Sequence, residues 1–140
     1  MAEVKRSVQR PISPHLSIYK LEITMVMSIV HRITGSALYF GTLLLAAWLV
    51  SAAMGPREFA LVNSLFAHPL GLLVLFGYTW ALIHHMLGGV RHLIWDTGQG
   101  LDIKSADGLA WLSIIASVIT TLVVWAVVLS MRGLSLKDLF

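Results

Sequence analysis

The stretch Gly108-Leu-Ala-Trp-Leu-Ser-Ile-Ile-Ala-Ser-Val-Ile-Thr-Thr-Leu-Val-Val-Trp-Ala-Val-Val-Leu-Ser-Met131 carries no acidic, basic or histidine side chain. A helix needs about 20 apolar residues to cross a bilayer, so this run reads as a membrane span. Two further stretches free of Asp, Glu, Lys and Arg, Ile33 to Pro56 and Phe59 to Val90, are also long enough. The second is too long for one straight span, and Pro69 divides it. Proline suits the first turn of a helix, so the middle span starts near His68–Leu70 and leaves Glu58–Ala67 as a short surface segment. The first span begins near Thr24, an N-capping residue type, and Gly55-Pro56 ends it. The expected architecture is all-α and integral to the membrane. It is a single membrane-anchor domain over 1–140, with spans at about 24–53, 68–95 and 109–131.

Composition agrees. Of 140 residues, 57% are hydrophobic and 12% charged, with a mean hydropathy of +0.81. Soluble domains carry about 25% charged residues, so a soluble enzyme, a nucleic-acid reader and a disordered scaffold fit poorly. The absence of cysteine removes disulfides, iron–sulfur ligation and thiol catalysis by this chain and leaves the redox compartment open. The net charge of +3 is better read as topology than as nucleic-acid binding.

Residues 1–23 differ from the rest, with Lys5, Arg6, Arg10, Lys20, Pro11 and Pro14. They contain no apolar core of a signal peptide, and the two prolines break any amphipathic transit helix. They read as an extended basic arm on the membrane surface. With the arm on one side, seven basic residues (Lys5, Arg6, Arg10, Lys20, Arg32, Arg91, Lys104) face three (Arg57, Arg132, Lys137), which puts the N-terminus inside. Trp95 and Trp111 then lie at the inner interface and Trp48 near the outer one.

Ionisable groups within spans are costly and usually functional. Here Ser28, His31 and Arg32 lie in the first turns of the first span, and His84, His85, Arg91 and His92 in the last turns of the second. The two helices run in opposite directions, so both clusters reach the same inner depth. Ser28 and Arg32, at i and i+4, share a face. His85, Gly88, Gly89 and His92 form one stripe, and a histidine one turn from two glycines has open space for a large planar ligand. Imidazole is a normal axial ligand of haem iron, and the basic groups nearer the surface suit its propionates. Taken singly, each group has a plainer reading. An intramembrane histidine is often only a hydrogen-bond partner between helices, a glycine pair a packing notch, and an arginine a snorkelling anchor. His84 projects about 100° from His85 and reads as packing, while His15 and His68 read as an arm residue and a helix start. In the third span, Ser113, Ala116, Ser117, Thr120 and Thr121 read as a small-residue packing stripe.

At these residues a family resemblance enters. Arg10-Pro-Ile-Ser-Pro-His-Leu-Ser-Ile-Tyr19, Ser28-Ile-Val-His-Arg-Ile-Thr-Gly35 and His85-Met-Leu-Gly-Gly-Val-Arg-His-Leu-Ile-Trp-Asp-Thr-Gly98 resemble the cytochrome b membrane-anchor subunit of succinate dehydrogenase, respiratory complex II. The arm is similar to the mitochondrial and alphaproteobacterial branch. The resemblance implies three transmembrane helices forming half of a bundle with a second small anchor subunit, and one haem b shared between the two. It implies His85 as an axial ligand, with His84 as an adjacent alternative where the family often has tyrosine. Ser28 and Arg32 fall on ubiquinone-pocket positions, and His31, Arg91 and His92 on positions near the haem propionates. Asp96 falls on an acidic helix-end position, where pairing with a basic neighbour is the plainer role.

The implied function is a membrane subunit of succinate:ubiquinone oxidoreductase, with a quinol:fumarate reductase anchor as the alternative. The implied partners are a flavoprotein, an iron–sulfur subunit, the second anchor and the lipid bilayer. The implied location is the bacterial cytoplasmic membrane, or the mitochondrial inner membrane in a eukaryote. A di-haem four-helix cytochrome b would need paired histidines in the outer halves of its helices, and this chain has none there. A non-redox assembly anchor would use the same His85 and Arg32 only for packing, and a haem spectrum separates the two.

Overall fold

The computed structural model describes residues 18–131. Lys5, Arg6, Arg10, Pro11, Pro14, His15, Arg132 and Lys137, for which the sequence raised expectations, lie outside the described residues. Four helices follow in order: α1 (Ile23–Met54), α2 (Pro56–Ala67), α3 (Pro69–Asp96) and α4 (Ile103–Met131). α1, α3 and α4 are each long and apolar enough to cross a membrane.

What is buried is the reverse of a water-soluble protein. Four apolar side chains are buried (Met27, Ala81, Ile83, Ala110), against seven polar or charged ones (Thr34, Ser51, His84, Arg91, Ser113, Ser117, Thr121). Leucine, isoleucine and phenylalanine cover the outside, as with Phe40, Leu43, Leu73 and Ile119. Lipid tails are as apolar as leucine, so burying leucine gains little there, and helix contacts fall to small residues and polar links.

α3 is the central helix, packed against both α1 and α4. Toward α4 it meets Ala110, Ser113, Ser117 and Thr121, spaced three or four residues apart and all buried. Thr120, expected on that stripe, is exposed, one step of about 100° off the contact line. The Trp125 indole N–H donates to Thr79 Oγ1 at 3.2 Å, a further link between α3 and α4.

Helix ends differ from expectation in ways that the local chemistry explains. Glu58–Ala67, expected as a short surface segment, forms most of α2, which starts at Pro56 directly after Gly55. Trp48 of α1 donates its indole N–H to Asn63 Oδ1 of α2 at 3.1 Å. α1 starts at Ile23 with Glu22 in the capping position, so Thr24 lies inside the helix. His68 caps α3 by accepting the Leu70 N–H on Nδ1. α4 starts at Ile103, ahead of the expected 109, because Asp102 Oδ2 accepts the Ser105 backbone N–H at 3.0 Å.

That cap has a pH signature. The Ser105 amide and hydroxyl hold the exposed Asp102 carboxyl below its ordinary value. A carboxyl depressed in the folded state stabilises it above the unfolded pKa, and the contribution is lost as pH falls through the folded one. The Asp102→Ala complex is therefore expected to melt below wild type at neutral pH. The gap should close under acid conditions, below about pH 4. A gap that persists unchanged in acid would mean that the carboxylate does not act as the cap.

Candidate functional site

The two polar clusters meet. His31 on α1 and His85 on α3 stack with ring centroids 4.0 Å apart and planes 2° from parallel, and His92 lies 5.4 Å from His31. The contact is possible because of Gly88. A Cβ there would run into the His31 ring, so the absence of a side chain lets the α1 histidine lie against the α3 backbone. This corrects one expectation: the glycine pair does not leave one open face. His31 takes the place over Gly88, and only Gly89 has open space above it.

The tautomer of His85 follows from its partners. Nδ1 lies 3.1 Å from the His31 carbonyl oxygen, which can only accept. Nδ1 therefore carries a hydrogen, which leaves Nε2 as the ring nitrogen available to a ligand. Thr34 Oγ1 lies 3.4 Å from the same Nδ1 and donates to the Val30 carbonyl at 2.9 Å. A ring fixed through Nδ1–H to a backbone carbonyl is the usual arrangement for a metal-binding imidazole. No hydrogen bond among the described residues engages Nε2. Close by, Gly35 lies under the edge of the His85 ring, where a Cβ would come within 2.9 Å of Cε1. Sequence reasoning gave Thr34 and Gly35 no role. The available signal was Thr34 at i+3 from His31, a hydroxyl at the depth of the cluster.

Ser28 and Arg32 lie elsewhere on α1. Arg32 reaches back one turn and donates from Nε to the Ser28 carbonyl at 3.2 Å and from Nη2 to Ser28 Oγ at 3.3 Å. With its oxygen occupied as an acceptor, the Ser28 hydroxyl is free to donate onward. Both side chains are exposed and line an open groove of about 340 Å³ with Leu21, Thr24, Met25 and Ile29. Every wall of this groove comes from α1 and the residues just before it.

The remaining residues separate. His84 is buried, with Nδ1 3.2 Å from Ser117 Oγ and its ring stacked on Trp80, so it faces α4 as expected of a packing group. Arg91 lies seven residues on from His84, on the same face of α3, away from the His31–His85 stack. It lines the junction with α4, its Cζ 5.0 Å from the Trp95 ring centroid. Asp96 is the last residue of α3 and is exposed. A second cavity, of about 320 Å³, lies at the other end between α1, α2 and α3. It is lined mainly by apolar and aromatic side chains such as Leu44, Leu45, Trp48 and Phe66, and holds no histidine, arginine or carboxylate.

Residues 6–124 match the model of the succinate dehydrogenase/fumarate reductase transmembrane subunit family. The chain belongs to that family. The cytochrome b556 subunit of Paracoccus denitrificans succinate dehydrogenase is 42% identical over 127 residues, covering 88% of this chain and 97% of its own length. The corresponding subunit of Rickettsia felis is 37% identical over 127 residues, covering 89% of this chain and 99% of its own length. The mitochondrial cytochrome b560 subunit of Sus scrofa is 44% identical over 99 residues, 67% of this chain and 57% of its own length. The family resemblance read from the three motifs therefore holds, and so does the all-α membrane architecture. Like the family as a whole, the chain is a multi-pass transmembrane subunit of the succinate dehydrogenase class. These relatives carry succinate dehydrogenase names, and the fumarate reductase alternative draws no support from them.

Proposed function

We propose that this chain is the haem- and quinone-binding anchor of a succinate:ubiquinone oxidoreductase in a bacterial cytoplasmic or mitochondrial inner membrane. The observation that carries the reading is the His31–His85 junction, where an α3 histidine is held by Nδ1 to an α1 carbonyl with Nε2 left over. The succinate-oxidising site belongs to a flavoprotein partner, and an iron–sulfur partner delivers electrons to the inner end of the bundle. A second small anchor subunit completes the pocket, in keeping with a Ser28–Arg32 groove whose walls come from one helix.

The residues suit a haem b. His85 offers an imidazole oriented through its Nδ1–H, and His31 and His92 stand beside it toward the helix ends as hydrogen-bond donors for propionates. His31 Nδ1 is buried against the α3 backbone at Gly88, with no partner among the described residues, so Nε2 is the ring nitrogen left to meet a carboxylate. When bound, the haem supplies a one-electron carrier at this depth. A second anchor subunit would complete the set of residues that hold the haem.

Ubiquinone reduction takes two electrons and two protons to the quinol. The part of this chain is to bind and polarise the substrate. The Ser28 hydroxyl donates to a quinone carbonyl oxygen, and Arg32, holding Ser28 Oγ as an acceptor, sharpens that donor. The guanidinium also places a fixed positive charge beside the oxygen on which negative charge builds during reduction.

The test is the visible spectrum of the purified complex. Reduction with dithionite is expected to give the sharp bands of a low-spin b-type haem. A complex that assembles with flavin and iron–sulfur content but shows no such bands would reduce the chain to a packing anchor. Orientation is tested separately. A reporter fused after Phe140 is expected on the outer side and one inserted near Asp102 on the inner side. The opposite pattern would place the Ser28–Arg32 groove away from the electron donor.

A further inference from the structure

Among the described residues, Arg91 has the most buried polar side-chain atoms without a hydrogen-bond partner. Its side chain is 4% exposed, and Nε and Nη1 are buried without a hydrogen-bond partner. No carboxylate pairs with it among the described residues. Leaving a buried charged donor unmade is costly, so the arrangement calls for an anionic acceptor beyond the described residues. The acceptor must fit a cleft of about 70 Å³ between α3 and α4, lined by Leu87, Val90, Ile94, Leu109, Leu112 and Ala116 together with Arg91 and Ser113. Such a cleft takes a small headgroup and the start of an acyl chain but not a helix. Val90 and Leu112, at its mouth, are 46% and 61% exposed on the apolar outside of the bundle.

Depth and orientation select the ligand further. Arg91 lies five residues before the end of α3, about 7.5 Å along the axis, near the boundary between headgroups and acyl chains. Trp95 flanks its guanidinium at 5.0 Å and is itself fixed by donating its indole N–H to the Gly100 carbonyl at 2.9 Å. The cleft thus has one cation at headgroup depth and leucine, isoleucine and valine around it, which is the polarity of an amphiphile. We infer that Arg91 and the α3–α4 cleft form a site for the phosphate headgroup of an anionic membrane phospholipid, with an acyl chain along Leu87, Leu112 and Ala116. The preference for an anionic lipid follows because no described residue supplies a counter-charge to the guanidinium. A zwitterionic headgroup would bring a second cation to the site.

The inference needs neither the haem nor the quinone assignment. Its test uses the whole complex, equilibrated with mixed vesicles of phosphatidylcholine and phosphatidylglycerol, delipidated and weighed by native mass spectrometry. Wild type is expected to retain phosphatidylglycerol in preference to phosphatidylcholine. Arg91→Gln should weaken that retention by about tenfold or more, the effect of losing a charge-assisted hydrogen bond, with Arg91→Lys in between. Ala116→Phe, which fills the cleft and leaves the charge, should also lose the lipid. If Arg91→Gln does not assemble, wild-type selectivity and Ala116→Phe decide the matter. Equal retention of the two lipids by wild type, or unchanged retention in Ala116→Phe, overturns the site. Displacement of the lipid by inorganic phosphate alone would mean that the acyl chain is not held, which overturns it too. Loss of haem absorbance in Arg91→Gln with phosphatidylglycerol retention intact would assign the guanidinium to a propionate, and retention lost by pairing with an acidic partner segment would show as a protein crosslink at Arg91 in wild type; either result overturns the lipid site.

Discussion

Ser28→Ala and Arg32→Leu are each expected to lower succinate–quinone reductase turnover by about 10²–10³, the usual loss when a preorganised donor or charge is removed from a developing oxyanion. The two effects should not add. Arg32 acts partly through Ser28, since its Nη2 hydrogen bond occupies the hydroxyl oxygen, so the double variant should resemble the more damaging single one. Succinate oxidation with an artificial acceptor that takes electrons from the soluble subunits should stay at wild-type rates. Assembly is read in the same membranes from flavin and haem content. Fully assembled variants that reduce ubiquinone normally would make both residues structural and move the pocket to the partner chains.

His85→Ala is expected to abolish or strongly perturb the low-spin b-type spectrum, while His84→Ala leaves it nearly intact. The two neighbours differ in their surroundings. His85 Nδ1 is held by the His31 carbonyl, and its Nε2 has no hydrogen-bond partner among the described residues. His84 is 2% exposed and points to Ser117 between α3 and α4. His84→Ala should instead loosen the α3–α4 contact. It leaves the Ser117 hydroxyl, which donates to the Ile114 carbonyl at 2.8 Å, with one neighbour fewer, and the effect should read as a lower melting temperature. A spectrum that survives in His85→Ala and vanishes in His84→Ala would reverse the assignment.

The spans were legible because charge-free runs of that length have one cheap home, the bilayer. The convergence of the clusters was legible because two antiparallel helices of known rise bring the start of one to the end of the other. What escaped the sequence depended on side chains reaching across helices. Gly88 looked like half of an open notch, yet the deciding fact is which residue of α1 lies opposite, and spacing along α3 does not contain that. Arg91 sits beside His92 in the chain and about 100° from it around the helix. Family position grouped them, whereas helix rotation sends Arg91 toward α4. The early start of α4 turns on one carboxylate hydrogen bond from Asp102, in a loop that composition alone would leave unstructured.

The link between Arg32 and Ser28 closes within one helical turn, whereas that between His85 and the His31 carbonyl spans 54 residues. The chain emerges from the ribosome N-terminus first, so α1 enters the bilayer before α3 exists. At that moment Arg32 is the one Asp, Glu, Lys or Arg side chain in α1, and near the start of the span it costs less than the about 2.5–3.5 kcal/mol of a central arginine. The link to Ser28 forms as soon as α1 does and needs nothing still to be synthesised. Ser28 therefore gives the guanidinium a partner from its own helix, and the histidine junction closes only once α3 lies against α1.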